Sequence, residues 1–375
     1  MAKARAGAKR QTGILPIQDI RVLAADGAIL SDAPLGATQI QPASLDLRLG
    51  SKAFRVRASF LPGAEDGAGV KNRLADLALH EIDLDKGAVL ETGCVYVVPL
   101  QERLALPPDV SASANPKSST GRLDVFTRVI ADGVPSFDTI PAGYSGALYA
   151  EICPQTFPIV VRRGSMLSQI RFRIGDPVEN DADLSALHTK YTLVDGGTTA
   201  DIKGGLALSV DLVGDKNGLV GYRARRHTGL VNVDAPGSCL LADYWEPIII
   251  TPGKRSPRLI LDPDQFYILA SKEAVHVPPT HAAEMMPFNP LVGEFRVHYA
   301  GFMDPGFGHA PAGGAGARVV LEVRSHKVPF VLEDGQIIGR LIYERMASRP
   351  DVLYGTDLGS NYQAQGLKLS KHFKA

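Results

Sequence analysis

The chain repeats itself at a constant offset of 171 residues, and this repeat constrains its fold more than any other feature of the 375-residue sequence. LETGCVYVVPLQERLALPPDV at 90–110 recurs as LDPDQFYILASKEAVHVPPTH at 261–281. Further along, YAEICPQTFPIVVRRGSMLSQIRF from Tyr149 aligns with VLEVRSHKVPFVLEDGQIIGRLIY from Val320 at the same offset. Chance would not keep one register over this length, so the chain is predicted to consist of two homologous halves.

The repeat predicts two domains joined near residues 210–225, which the length of the chain allows. The first domain is expected to span residues 13–215 and the second residues 216–375. Before them, the basic segment at 1–12 has no apolar run behind it and is expected to be a disordered tail, with a nucleic-acid-binding arm as the alternative.

Strands are expected to dominate both halves. The apolar runs are short, rich in Val, Ile, Tyr and Phe, and separated by Pro and Gly, as in CVYVVPL and FYILASK. The clearest helix is predicted at 15–27, with Pro16 in its first turn and Gly27 at its end. The predicted fold class is therefore mainly β, with two tandem β-barrel or jelly-roll domains and a few short helices.

Composition excludes several classes of protein. The 40 basic and 40 acidic side chains cancel, so neither a nucleic acid nor a membrane surface is an expected partner. Cysteine occurs only at Cys94, Cys153 and Cys239, without a CxxC pair, which argues against a disulfide framework and a cysteine-rich zinc site and favours the cytoplasm. No window of the sequence approaches the roughly 18 apolar residues of a membrane span.

KSSTGR at 117–122 combines two cations, hydroxyls and a glycine directly before an apolar run. These groups suit phosphate oxygens, although a solvated turn would use the same residue types. The second copy at 288–293 reads FNPLVG, so that four polar residues of the first copy are replaced: Lys117, Ser118, Ser119 and Arg122 align with Phe288, Asn289, Pro290 and Gly293. A turn needed only by the fold should not differ so selectively, and we therefore interpret KSSTGR as a phosphate-binding loop.

Glu151 and Glu322 are lone carboxylates at equivalent positions of the repeat, each inside an apolar strand context. A buried carboxyl group has a raised pKa and can then transfer protons near neutral pH. The alternatives are a glutamate on the solvated face of a sheet or one paired with an arginine such as Arg324. Asp46, in IQPASLDLRLG at 40–50, is expected to cap or pin a turn.

Signatures of other nucleotide enzymes are missing from the sequence. There is no HxE beside PCxxC, so the zinc deaminase pattern is not met. No Walker loop and no GxSxG elbow occurs. No metal site in the protein is predicted, and a metal ion is expected to arrive with the phosphates.

Several motifs together resemble the dCTP deaminase branch of the dUTPase superfamily. IQPASLDLRLG is similar to the family's opening strand motif, KSSTGR to its RSSxxR phosphate loop, and AGYSGALYAEI to its PGxxGxxxLE hairpin. FMDPGFG at 302–308 and the tail YGTDLGSNYQAQGLKLSK resemble the family's second half still more strongly. The likeness covers most of residues 14–175 and 245–375, and is greatest to the longer, duplicated bacterial form.

The resemblance implies zinc-independent hydrolysis of dCTP to dUTP and ammonia, within dUMP and dTMP synthesis. By this carry-over Glu151 would take a proton from the attacking water and return protons to the ring and to the leaving ammonia. Lys117, Ser118, Ser119 and Arg122 would hold phosphate, with Ser118 and Arg122 also helping catalysis by positioning the water. Magnesium would be carried by the triphosphate.

The resemblance also implies further substrate contacts and partners. Asp304 is retained from the family's turn motif in the second half, whereas the first half reads SFDTIPAG there. GLALS at 205 matches GLKLS at 366, so both halves are predicted to end in a tail that closes over the nucleotide. The tail residues that align with the family's nucleotide contacts are Lys190, Tyr191, Tyr354 and Gln365. A homo-oligomer, with a trimer favoured, and dTTP as a possible inhibitor are expected.

Two arrangements of the active site are open at this point. In the family the phosphate loop and the glutamate come from neighbouring domains around a three-fold ring. Either first halves form such a ring with Glu151 catalytic, or a hybrid site joins KSSTGR to Glu322. Symmetry favours the ring, because three chains can form one ring of first halves and one of second halves. A dimer or a pseudo-symmetric monomer would favour the hybrid.

Two other functions are alternatives. A dUTP pyrophosphatase, or an enzyme that carries out both steps, would be built on the same fold, but the sequence has neither a GFGSTG-like tail nor an AGYDL opening motif. A non-catalytic nucleotide-binding regulator is the alternative from another class, and the divergent second half makes it conceivable for that half.

Overall fold

The computed structural model describes residues 11–63, 69–195, 200–251, 253, 256–287, 295–297, 301–310, 316–325, 327–355 and 366–374. Strands dominate these ranges, which confirms the predicted mainly β class. Most of the predicted tail at 1–12, FNPLVG at 288–293 and Gln365 lie outside the described residues. No helix in the described part of the chain is long and apolar enough to cross a membrane.

The first half contains three helices and thirteen strands within the described residues. The helices are α1 (Ile17–Ala25), α2 (Val70–Leu77) and α3 (Ser118–Gly121). The strands are β1 (Gly13–Ile14), β2 (Ile29–Ser31), β3 (Leu45–Arg48), β4 (Lys52–Val56), β5 (Ala78–Asp83), β6 (Ala88–Leu90), β7 (Val95–Ala105), β8 (Val110–Pro116), β9 (Val125–Ala131), β10 (Thr139–Ile140), β11 (Ser145–Pro154), β12 (Ile159–Val161) and β13 (Met166–Ile174).

The second half follows the same plan with two helices and fifteen strands among the described residues. The helices are α4 (Asp181–Tyr191) and α5 (Leu241–Tyr244). The strands are β14 (Val194–Asp195), β15 (Leu206–Ser209), β16 (Leu219–Ala224), β17 (Val231–Asn232), β18 (Cys239–Leu240), β19 (Trp245–Ile249), β20 (Arg258–Leu261), β21 (Phe266–Val275), β22 (His281–Pro287), β23 (Phe295–Val297), β24 (Phe302–Met303), β25 (Ala317–Ser325), β26 (Phe330–Glu333), β27 (Ile337–Arg345) and β28 (Phe373–Lys374).

The helix predicted at 15–27 is α1, and its sequence explains its position. Ile17, Ile20 and Leu23 are buried, and their spacing puts them on one face of the helix, which packs on the core of the first half. Pro16 precedes the first helical residue, where its missing N–H costs no hydrogen bond. Gly27 follows the end of the helix with φ of 75°, a conformation that favours glycine.

Strand pairing reproduces the repeat residue by residue. In the first half β11 pairs antiparallel with β7, and Glu151 faces Val97. In the second half β25 pairs antiparallel with β21, and Glu322 faces Ile268. Val97 and Ile268 are also 171 residues apart, so the two glutamates occupy equivalent positions in equivalent sheets.

The same pairing moves the domain junction upstream of the predicted 210–225. β3 pairs with β13 so that Asp46 faces Gln169, and β15 pairs with β27 so that Ala207 faces Arg340. Residues 205–209 are therefore equivalent to SLDLR at 44–48 and form the opening strand of the second half rather than a tail of the first. α4, which precedes β15, belongs to the second half as well, and the junction lies between β13 and α4.

The segment between β16 and β19 of the second half packs against the first half. β17 pairs parallel with β12, with Val231 facing Ile159. Beside it, Phe157 of the first half packs edge-on against Trp245, with 5.4 Å between ring centroids, and Phe373 from the C-terminal tail packs 5.7 Å from the same ring. Buried aromatic surface therefore joins the two halves and the C-terminus.

Candidate active site

The KSSTGR loop connects β8 to β9 and contains the single helical turn α3. The carbonyl oxygen of Lys117 accepts hydrogen bonds from the N–H groups of Thr120 at 2.8 Å and Gly121 at 3.0 Å. Ser119 and Arg122 are buried, whereas Lys117 and Ser118 are half-buried. The loop is thus fixed by its own backbone and offers Lys117 and Ser118 to solvent.

Arg122 meets the glutamate of the other half. Its Nε lies 3.9 Å from Oε1 of Glu322, and the two residues are only 4% and 5% exposed. Nη1 of Arg122 also donates a hydrogen bond to the carbonyl oxygen of Lys368 at 2.9 Å. The structure therefore brings KSSTGR together with Glu322, as in the hybrid arrangement, and not with Glu151.

Burial raises the pKa of Glu322 to about 7, against the opposing effect of the Arg122 cation. A carboxyl group with this pKa is present in both protonation states near neutral pH, which suits a group that accepts and returns a proton. Arg324, the arginine suggested as a partner by the sequence, instead contacts Asp124 and donates to Thr156 Oγ1 at 2.8 Å.

The carboxylate of Glu151 forms an ion pair with an arginine from its own half. Arg128 faces it across β9 and β11, and Nη2 of Arg128 lies 2.6 Å from Oε1 of Glu151. The guanidinium group is itself held over the rings of Phe137 at 3.5 Å and Phe126 at 4.6 Å. Oε2 of Glu151 is buried and has no hydrogen-bond partner in the part of the chain that is described. Glu151 is therefore engaged in a structural ion pair.

Asp304 is held by a buried arginine that the sequence analysis missed. Arg171 from β13 is fully buried, with Nη2 3.1 Å from Oδ1 of Asp304 and Nη1 3.2 Å from Oε2 of Glu344. Its guanidinium carbon lies 4.0 Å from the ring centroid of Phe302. Burial raises the pKa of Asp304, and Arg171 opposes this shift. The repeat replaces Arg171 by Ile342, and this selective difference was the signal that could have identified it.

Asp46 was expected to cap or pin a turn, and its carboxylate contacts the ammonium group of Lys117 in the KSSTGR turn. The Asp46 side chain is 3% exposed and that of Lys117 is 20% exposed. Burial raises the pKa of Asp46, and the neighbouring Lys117 lowers it. The first lysine of the loop is therefore oriented by a buried carboxylate whose counterpart in the second half is Ala207.

The predicted tail residues that the structure describes lie in different parts of the molecule. Tyr354 is close to the Asp304 turn, since its N–H donates to the carbonyl oxygen of Pro305 at 2.8 Å. Lys190 and Tyr191 end α4, where the Lys190 ammonium group lies 5.0 Å from the Tyr191 ring centroid and Tyr191 packs on the core of the second half. Among the described residues of the two predicted tails, those at 366–374 reach the loop, where the Ser370 hydroxyl donates to the carbonyl oxygen of Ser119 at 2.9 Å.

Among the residues that the structure describes, no group of three or more His, Cys, Asp or Glu side chains is placed to hold a metal ion.

Comparison with protein families gives two matches in tandem. Residues 11–176 match the N-terminal domain model of 2'-deoxycytidine 5'-triphosphate deaminase, and residues 180–373 match its C-terminal domain model. The division between them agrees with the junction that strand pairing places between β13 and α4.

Relatives and a solved structure are similar to the chain. A protein of Beutenbergia cavernae named "dCTP deaminase, dUMP-forming" is 30% identical over 180 residues, which are 48% of this chain and 88% of the relative. One of Methanosphaera stadtmanae with the same name is 27% identical over 194 residues, 51% of this chain and 94% of the relative. The crystal structure of 2'-deoxycytidine 5'-triphosphate deaminase from Agrobacterium tumefaciens is 62% identical, covers 90% of this chain and 100% of that chain, and superposes with a TM-score of 0.85.

Proposed function

Because the chain belongs to the 2'-deoxycytidine 5'-triphosphate deaminase family, we propose that it hydrolyses dCTP to a deoxyuridine nucleotide and ammonia. The observation that carries this proposal is the meeting of the phosphate loop with a buried carboxyl group, Arg122 with Glu322. Such a site can hold a polyphosphate and exchange protons with the bound nucleotide.

Glu322, and not Glu151, is the proposed acid–base residue. Its pKa of about 7 lets it take a proton from the water that attacks C4 of the cytosine ring. It passes this proton to ring nitrogen N3, and then takes the second proton of the former water from the C4 hydroxyl of the tetrahedral intermediate and passes it to the amino group, which leaves as ammonia. Overall, dCTP and water give dUTP and ammonia, with the glutamate restored. Glu151 is not assigned this role, because its Oε1 is held in an ion pair with Arg128.

We assign roles to the loop residues according to how exposed their side chains are. Arg122 is buried against Glu322 and the C-terminal tail, so we assign it to orienting the glutamate and the attacking water. Lys117 and Ser118 are partly exposed and are assigned, with the buried Ser119, to the phosphates. Asp304, fixed by Arg171, is proposed to contact the nucleoside.

Magnesium is proposed to enter with the triphosphate, and the reaction is proposed to need no zinc. The loop itself supplies the cations of Lys117 and Arg122, and the nearby carboxylate of Asp46 is engaged with Lys117. This set of groups fits phosphate oxygens rather than a protein cage for a metal ion. When bound, magnesium would neutralise part of the phosphate charge.

The second candidate is an enzyme that also releases pyrophosphate and forms dUMP. It is favoured by the names of the relatives from Beutenbergia cavernae and Methanosphaera stadtmanae, which are described as dUMP-forming. The test is to incubate the purified protein with magnesium and dCTP and to quantify ammonia, dUTP, dUMP and pyrophosphate. Ammonia with dUTP supports deamination alone, and ammonia with equal pyrophosphate and dUMP supports the second candidate. Pyrophosphate from added dUTP without ammonia from dCTP, or tight binding without products, would contradict both.

The pH dependence of the reaction follows from Glu322. A general base acts in its ionised form, and a carboxyl group is ionised above its pKa. We therefore expect kcat/KM for dCTP to rise about tenfold per pH unit below about 7 and to level off above it. Initial rates between pH 5.5 and 8.5 measure this, and a profile that is already flat at pH 5.5 would contradict a base with this pKa.

The hybrid site also changes what we expect of the oligomeric state. One chain supplies both the loop and Glu322, so a complete site does not require a ring of first halves. The symmetry argument for a trimer thereby loses its basis, and the oligomeric state is best measured by light scattering. Inhibition by dTTP stays a prediction that the same deamination assay tests.

A further inference from the structure

An ion pair links the strand that carries Glu322 to the residues that follow the phosphate loop. Arg324 lies two residues after Glu322 on β25, on the same face of the strand. Its Nη2 atom contacts Oδ2 of Asp124, which lies two residues after Arg122. Arg324 and Asp124 are thus close neighbours in sequence of Glu322 and Arg122, the two residues that meet in the proposed site.

The ion pair is largely buried, and further hydrogen bonds fix its geometry. The side chains of Arg324 and Asp124 are 11% and 1% exposed. Thr156 Oγ1 accepts from Nη2 of Arg324 at 2.8 Å and donates to the same Asp124 oxygen. The carbonyl oxygen of Asp124 accepts from the N–H of Gln155 at 2.9 Å, and its N–H donates to the carbonyl oxygen of Gly121 at 2.9 Å. Asp124 has a left-handed backbone with φ of 56°, a conformation that persists in residues other than glycine where the surroundings impose it.

The contact between Arg122 and Glu322 is looser than this ion pair. Nε of Arg122 lies 3.9 Å from Oε1 of Glu322, which is longer than a hydrogen bond and does not by itself fix the loop against the strand. Arg324 donates a direct, charge-assisted hydrogen bond to Asp124. The position of Arg122 relative to Glu322 therefore depends on the ion pair beside them.

The ion pair also places a positive charge against a carboxylate that acts on Glu322. Burial raises the pKa of Glu322, the Arg122 cation lowers it, and the Asp124 carboxylate raises it. The neighbouring strand places the apolar Ile268 opposite Glu322. Because Arg324 contacts Asp124, its positive charge offsets the effect of that carboxylate on Glu322.

We propose that Arg324 is a positioning residue of the deamination site, which holds Asp124 and thereby sets the phosphate loop and Arg122 against Glu322. The equivalent position of the first half is Cys153, which cannot form such an ion pair, so the device belongs to the site at Glu322 and not to Glu151. The proposal rests on the proposed function for the identity of the reaction.

Arg324→Met breaks the ion pair and leaves the loop and Glu322 unchanged in sequence. We expect kcat for dCTP deamination to fall about 10- to 100-fold, because the loop and the glutamate are no longer held in register. KM should change little, because the nucleotide is held by the loop and moves with it. The acid-side midpoint of kcat/KM should move to higher pH, since the uncompensated Asp124 carboxylate disfavours ionisation of Glu322. Initial rates between pH 5.5 and 9 measure both effects.

Two further variants separate the position of the loop from the charge. Arg324→Lys keeps the positive charge, so the midpoint should stay in place while part of kcat is recovered. The double variant Asp124→Asn with Arg324→Met removes both charges, so the midpoint should return towards that of the unaltered protein while kcat stays low. A role in stability alone would not produce these opposite movements of kcat and of the midpoint.

Arg258→Met is the matched control, since it removes an arginine of the second half from an exposed ion pair with Glu333 and should leave kcat and the midpoint unchanged. Unchanged kcat and midpoint in Arg324→Met, or equal effects of Arg258→Met, would overturn the proposal. If Arg324→Met does not fold, Asp124→Asn replaces it: kcat should fall and the midpoint should move to lower pH, and no change in either would equally overturn the proposal.

A titration of glutamate side chains by carbon-13 NMR measures the pKa of Glu322 without any reaction, with its signal identified by its absence in Glu322→Gln. That pKa should be higher in Arg324→Met and lower in Asp124→Asn than in the unaltered protein. If dCTP is not deaminated but both shifts occur, the influence of the ion pair on Glu322 stands and the proposed reaction fails. If dCTP is deaminated and neither shift occurs, the reaction stands and the role of Arg324 is refuted.

Discussion

Glu322→Gln is expected to lower kcat for dCTP deamination by about 10²–10⁴-fold, the usual contribution of general acid–base catalysis. Glutamine has nearly the same shape as glutamate but cannot accept a proton at neutral pH. KM for dCTP should change little, because Lys117 and Ser118, the residues proposed to bind phosphate, are untouched. Release of ammonia in single-turnover and steady-state assays measures the loss.

Glu151→Gln is the matched control, because it makes the same substitution at the equivalent position of the repeat. We expect it to keep most of the deaminase activity while lowering the melting temperature, since it leaves the half-buried Arg128 guanidinium without its carboxylate partner. The reverse pattern, with Glu151→Gln inactive and Glu322→Gln active, would move catalysis to the first half. Loss of activity in both variants would show that the two carboxyl groups act together.

Arg171→Met is expected to lower the free energy of unfolding by about 3–5 kcal/mol, as is usual when one partner of a buried ion pair is removed. Methionine fills similar space but leaves the buried Asp304 carboxylate without the guanidinium group of Arg171, and leaves Glu344 to Arg173, whose Nη1 lies 3.4 Å from its Oε1. Arg171 comes from β13 of the first half and both acidic partners come from the second, so the loss falls on the contact between the halves. Urea denaturation measures the change.

Arg223→Met is a suitable comparison for Arg171→Met. Arg223 is paired with Glu246 at 2.6 Å, but its side chain is 46% exposed. Solvent screens such a pair, and its removal should cost about 0–1 kcal/mol. Equal effects of the two substitutions would mean that burial of the Arg171 network contributes nothing to stability. Arg171→Met should in addition raise KM for dCTP if Asp304 contacts the nucleoside, whereas Arg223→Met should not.

Local patterns predicted the parts of the molecule that depend on neighbours in the sequence. α1 follows from its apolar spacing, Pro16 and Gly27, and it lies within one or two residues of its predicted ends. The repeat predicted that Glu151 and Glu322 would occupy equivalent strand positions, and the pairing of β11 with β7 and of β25 with β21 confirms this.

The domain junction was misplaced because two short segments look alike. GLALS at 205–209 and GLKLS at 366–370 both alternate leucine with small or polar residues, a pattern that any half-buried extended segment can show. Only the partner of each segment distinguishes them: the first pairs with β27 as an opening strand, whereas the second contacts the KSSTGR loop as a tail.

The sequence by itself determined the mainly β class, the duplicated plan and the inventory of a phosphate loop and two glutamates, since periodicity, composition and internal similarity are properties of the chain. The tertiary structure alone decided that Arg122 meets Glu322 and that Arg128 neutralises Glu151. Glu151 and Glu322 occupy equivalent strand positions but face different arginines, because packing and not the local sequence decides which charged groups lie beside a buried carboxyl group. Arg122 and Glu322 become neighbours only when the two halves pack together.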